Sequence, residues 1–198
     1  MDKLNVLSYD QYFGEMFLSE RQKKMRKKEA EEFEEMMIFI FELISVMSEY
    51  EYIKEQYLVN ELKTRYLEIS NKYSGIDEYV EGYSEEFALS TIQITLKNIS
   101  DKYYTSKERA VLIAENEANS NINYYDMKKA VADGKTKKRW KTQKDNKVRE
   151  SHKKINGQEI DIDDAFLVGD SYMRFPKDIY YGASLKEISG CRCTVEYL

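Results

Sequence analysis

His152, Cys191 and Cys193 are the only histidine and the only two cysteines in this 198-residue chain, and all three fall in its last third. An imidazole and two thiolates are donors that tetrahedral zinc prefers, and Asp145 is near enough in sequence to be considered as a fourth ligand. Cys191 and Cys193 sit too close along the chain to bridge easily to each other, so a shared metal is the chemistry that would use them together. The spacing is not a doubled Cys-x-x-Cys. The same residues also read as structure, with His152 hydrogen-bonded near a turn and the cysteines as small buried side chains. His152 beside Asp145 has the types of a general base, but no Gly-rich phosphate loop, His-Glu-x-x-His helix or nucleophile elbow accompanies them.

Around His152 lies the second pattern. Between Lys135 and Lys154 there are ten basic residues against the acids Asp145 and Glu150, with the only tryptophan, Trp140, among them. Cations interleaved with an aromatic suit a phosphate backbone, and Lys137, Lys138, Arg139, Lys141, Lys144, Lys147, Arg149, Lys153 and Lys154 are the candidate contacts. A solvated charged surface is the other explanation.

These groups need elements to hold them. Lys138 to Thr142 reads as a short strand, Asn156-Gly157 as a tight hairpin turn, Asp161 to Phe166 as a single turn, and Met173 to Pro176 and Cys193 to Tyr197 as extended. Upstream the pattern is helical. Apolar residues from Phe33 to Tyr73 recur at three-and-four spacing with no Gly or Pro until Gly75. A single helix from about residue 20 to 73 would run on the order of 80 Å, so a break or a partner helix is expected. Ser84-Glu85-Glu86 reads as a helix start after a boundary at Gly82, and Thr91 to Thr95 is β-branched enough to suit a strand. Thr105-Ser106-Lys107-Glu108 reads as a capping box. It opens a helix with small residues at 110, 114 and 118, ending at Asp133-Gly134. Residues 1 to 18 read as a short helix or docking segment.

The net charge of −5 argues against a wholesale polyanion binder while leaving room for a local basic patch. With 17 Tyr and 8 Phe the chain has ample apolar area for a core. No run reaches the roughly 20 apolar residues of a membrane span, and no signal-peptide core follows Met1, so a cytoplasmic start is expected.

Taken as a set, Arg109-Ala110-x-x-Ile113-Ala114-x-x-Glu117, then Lys138-x-Trp140-x-Thr142-x-x-Asp145-x-x-Val148-Arg149-x-x-His152-x-x-Ile155-x-Gly157, then Phe166, Pro176 and Cys191-Arg192-Cys193 resembles the Mu F-like phage minor head protein family. The resemblance covers about residues 105 to 197. It implies a non-enzymatic head component at the portal vertex, made in the host cytoplasm and carried in the virion. The implied partners are the portal protein, packaged double-stranded DNA and a scaffold or major capsid protein, with no membrane. In some relatives the places of Arg149 and His152 are both Cys, which completes a four-ligand set with the closing cysteines. Here Arg149 offers no lone pair, and Gly190 replaces the usual Asn.

The expectation is an α+β protein. It has a helical partner-docking arm (1–75), a helical segment packing on the last third (76–134) and a small α+β domain (135–198). Trp140 and Phe166 should be core anchors, with Thr142 and Gly157 part of the same motif. Asp145, Arg149 and His152 should form a hydrogen-bonded cluster. No cofactor is expected unless zinc sits on His152, Cys191 and Cys193. The rival is a metal-dependent or transferase-type toxin carried in the phage head.

Overall fold

The computed structural model describes residues 8–198 and shows an α+β protein. Leu4, Val6 and Leu7 of the first segment lie outside the described residues. The helices are α1 (Tyr9–Gly14), α2 (Glu20–Glu49), α3 (Glu55–Tyr73), α4 (Glu78–Lys97) and α5 (Lys107–Ala132). After them come β1 (Lys137–Lys141), α6 (Glu150–Lys154), β2 (Glu159–Asp161), β3 (Phe166–Val168), β4 (Ser171–Met173), α7 (Leu185–Ile188) and β5 (Thr194–Tyr197).

The chain forms two compact units. One comprises residues 28–114. The long apolar stripe does break, between Tyr50 and Lys54, where Glu51 takes a φ of 52° and the Tyr52 N–H returns to the Met47 carbonyl. That left-handed cap lets α3 turn back along α2, and Phe33 meets Tyr66 while Arg65 covers Phe39. Helix α4 then packs on α3, with Tyr66 against Tyr83 and Phe87. Phe33, Met37, Ile40, Ile44, Leu58 and Leu62 are fully buried, so most of the stripe is the chain's own core.

Two boundaries in this unit differ from the sequence expectation. Helix α4 starts at Asp77, whose side chain accepts the Val80 N–H, and both Gly82 and Ser84 are inside it. Ser84 bonds back to the Glu81 carbonyl, and Thr91 to Thr95 is helix rather than strand, its hydroxyls facing a buried side. The cap of α5 is Ser106, not Thr105: the Ser106 hydroxyl accepts from the Arg109 N–H.

The other unit takes residues 8–27 together with 115–198. The division therefore falls within α2 and α5 rather than at residues 75 and 134. The reason is visible in side chains: Arg26, buried on the first part of α2, donates to Asn119 and Asn123 on the second part of α5 and pairs with Asp126. A three-stranded antiparallel sheet, ordered β2-β1-β5, and the β3-β4 hairpin complete the unit. Their apolar core is Trp140, Ile155, Phe166, Val168, Met173, Cys191 and Cys193. Trp140 and Phe166 are both fully buried and meet edge to face at 5.2 Å.

The hairpin turn is at Gly169-Asp170. Asn156-Gly157 instead ends the turn after α6, where Gly157 has a φ of 83° and Asn156 Oδ1 accepts both the N–H and the hydroxyl of Thr142. No helix among the described residues is long and apolar enough to cross a membrane.

Candidate functional site

Helix α6 follows β1 by a short loop and is held at its C-terminal end by that Asn156–Thr142 contact. It carries His152 into the unit, where 1% of the residue is exposed. Strand β5 begins one residue after Cys193, so β5 pairing on β1 brings the Cys-Arg-Cys segment back over α6. His152 Nδ1 then lies 3.3 Å from Cys193 Sγ and 3.5 Å from Cys191 Sγ, and the three donor atoms all lie within 4.8 Å of one another. Zinc, with about 2.3 Å to sulfur and about 2.0 Å to nitrogen, sets nitrogen and sulfur ligands about 3.6 Å apart in a tetrahedron. The donor set therefore fits a metal.

The outer contacts fit as well. His152 Nε2 is 3.1 Å from Glu187 Oε2, which also accepts the Ser151 hydroxyl at 2.7 Å. A carboxylate on the far ring nitrogen is what aims a ligating histidine and leaves the near nitrogen's lone pair free for the metal. Gly169 makes room for it, since a Cβ there would come within 2.6 Å of Glu187 Oε1 at a φ of 64°. The Trp140 indole N–H is buried and makes no hydrogen bond among the described residues.

The three groups shift one another's proton affinity. The neighbouring Cys193 and then His152 hold the Cys191 thiol well below its ordinary value, outweighing burial. Burial drags His152 down, yet the Cys191 sulfur and Glu187 bring it above its usual value. Cys193 is pushed up by Cys191 and by burial. A metal held by these atoms would displace protons from the thiols and the ring nitrogen, so its binding would release protons.

Asp145 is not the fourth ligand. Its carboxylate is taken by Arg192 at 2.7 Å and by the Lys147 N–H at 2.9 Å. Nor do Asp145, Arg149 and His152 bond to one another. Each reaches the 187–193 segment separately, Asp145 at Arg192, Arg149 at the Ser189 carbonyl and His152 at Glu187 and the two sulfurs. Together they clamp that segment against β1 and α6. Beside the three donor atoms lies a recess of about 20 Å³, lined also by Lys147, Val148, Arg149 and Gly190, room for a single water or ion.

The basic residues divide. Lys138 is fully buried, its ammonium donating to the Ile162 carbonyl at 2.7 Å, and burial lowers its pKa to about 8. It cannot meet DNA, because the β1 alternation that buries Trp140 buries Lys138 too. Arg139 is held by Glu159 and Glu196, Lys141 by Glu196 and Lys153 by Glu150. Lys137, Lys144, Lys147 and Lys154 are exposed and make no ion pair among the described residues.

The chain's sequence now has its context: the Phage Mu protein F like protein family matches residues 88–196, more than half of the chain. The chain belongs to that family. No curated protein and no solved structure matches it. The match ends within β5 and takes in the whole metal-type cluster of this Mu F-like chain. The family is one of phage head morphogenesis proteins, a structural family.

Sequence reasoning missed Glu187, Gly169, Tyr12 and the polar face of α5. Tyr12 donates to the Cys191 carbonyl at 2.8 Å, and Asn119 donates to the same oxygen. Ser120 and Asn123 hold the carbonyls of Lys177 and Pro176. A signal was present, since the run Asn119-Ser120-Asn121-Ile122-Asn123 is poor helix-forming sequence and a helix that keeps it needs its side chains for something else.

Proposed function

We propose that this protein is a structural minor head component at the portal vertex of a tailed phage, contacting both the portal protein and packaged DNA. The family match over residues 88–196 carries the head role. For the portal contact, the support is the turn between α2 and α3 with the start of α3, where Tyr50, Tyr52, Ile53 and Tyr57 are exposed although most of the stripe is buried. For DNA, the support is the group of exposed, ion-pair-free lysines at 137, 144, 147 and 154. In this reading the cluster of His152, Cys191 and Cys193 holds zinc as a structural staple, tying β5 and the 187–193 segment to α6. Such a staple suits a unit whose own sheet is small.

The alternative, a head-borne metal enzyme, draws on the three-ligand set with its open fourth position. The recess beside the donor atoms is about 20 Å³, whereas small-molecule sites enclose about 300–1,000 Å³. Size therefore favours a staple. Mass spectrometry of purified heads tests the head role: the chain should be present in a few copies per particle, and its absence from DNA-filled heads would overturn the assignment.

A further inference from the structure

A second cluster in the same unit centres on Lys177. Lys177 is 2% exposed and sits at a φ of 69°, a conformation uncommon for a lysine. Its backbone is pinned by Ser120, which donates to the Lys177 carbonyl at 3.1 Å, and by Asn123 on the Pro176 carbonyl. Its ammonium points onto helix α5, donates to Asn116 Oδ1 and lies 5.3 Å from the centre of the Tyr12 ring. The Gly190 N–H also points at that Asn116 oxygen, at 3.4 Å. Glu115, the next residue on the helix, is 4% exposed, and its Oε1 takes no hydrogen bond among the described residues.

A buried amine, a carboxamide polarised by two donors and a buried carboxyl on the adjacent residue of α5, within electrostatic reach of the amine, are the parts needed to join lysine to asparagine. We propose that Lys177 and Asn116 form an intramolecular isopeptide bond, with Glu115 carrying the protons. The free amine of Lys177 attacks Asn116 Cγ, and a C–N bond forms while the carbonyl electrons move to Oδ1. The Gly190 N–H donates to that oxygen as it becomes anionic. Glu115 accepts a proton from the attacking nitrogen and delivers one to the carboxamide nitrogen. The Cγ–Nδ2 bond then breaks and ammonia leaves. No oxidant or co-reactant enters.

The proton balance of the pocket agrees with this chemistry. Burial lowers Lys177 to about 8 against the opposing pull of Cys191 and Glu115, which brings the free amine within reach near neutral pH, and burial raises Glu115 to about 7 against Lys177, close to a matched carrier. The bond would tie α5 to the segment before α7 and restrict the unfolded chain as a disulfide of the same span does, in a form that reductants cannot open.

Intact-mass spectrometry of the purified full chain tests the proposal. The wild type should weigh about 17 Da less than its sequence, the mass of ammonia, and a denatured digest should contain one branched peptide joining the segments around Asn116 and Lys177. Asn116→Ala should run at full mass. Glu115→Gln should do so while folded by circular dichroism. Asn116→Asp should recover the branched peptide by losing water. A folded wild type that stays at full sequence mass after prolonged incubation at pH 8 would overturn it, as would a mass loss that persists in Lys177→Met.

Discussion

Replacing Phe166 with Ala probes the core that positions the whole site. Phe166 is fully buried, packs edge to face on Trp140 at 5.2 Å and lies under the buried Lys138 ammonium at 5.6 Å. Truncating a buried phenylalanine removes about 3–5 kcal/mol, of which an aromatic pair accounts for about 1 kcal/mol. Because Trp140 is the only tryptophan, its fluorescence reports on this core and no other. With a urea slope of about 2 kcal/mol per molar, a loss of about 4 kcal/mol moves the midpoint down by about 2 M. A shift smaller than about 0.5 M, or native emission already at the red-shifted wavelength of a solvated indole, would refute the placement of Trp140 and Phe166 in one packed core.

Other expectations follow from the same geometry. Glu187→Gln and Gly169→Ala should each weaken zinc binding about 10–100-fold in a competition titration with a chromophoric chelator, because both disturb the carboxylate that aims His152. Unchanged affinity in both would remove Glu187 from the site. Stripping the metal with a chelator should lower the melting temperature of the wild type but not of Cys193→Ala. Glu115, raised by burial to about 7, binds a proton in the folded state across a range where the unfolded chain has released it. Its contribution is therefore present in full below about pH 4.5 and lost as pH rises through about 7, a change on the order of 3 kcal/mol, and Glu115→Gln should flatten that part of the profile. Lys144→Glu with Lys147→Glu should weaken duplex DNA binding and reduce its salt slope by about 2, whereas Lys138→Met should leave both alone.

The sequence carried the fold class well, because periodicity is a local property. The stripe from Phe33 to Tyr73, the strand around Trp140 and the closing β5 segment all show in it. Helix length alone called for a break or a partner helix, but its place at Glu51 did not show, since a glutamate in a left-handed cap has no sequence signature and the break is set by the need of α3 to cover α2. The start of α4 was misplaced for a related reason. Gly82 and Ser84 are common breakers, but here Ser84 satisfies its hydroxyl on the Glu81 carbonyl and is buried in the helix. At the site, residue rarity pointed to His152, Cys191 and Cys193, and the structure gathers them. It could not reveal that Asp145 belongs to Arg192, or that Glu187 holds the histidine, because those pairings depend on how α7 returns to α6. Alternation along β1 did contain the fate of Lys138: two residues from Trp140 on a strand, it shares the tryptophan's face.

Co-expression of the chain with a tailed-phage portal protein, followed by size-exclusion chromatography with light scattering, tests the proposed head role most directly. The account predicts co-elution with the portal ring, lost when Tyr50, Tyr52 and Tyr57 are changed together to Ser in a variant that stays folded. A folded wild-type chain that elutes apart from an intact portal ring would contradict it.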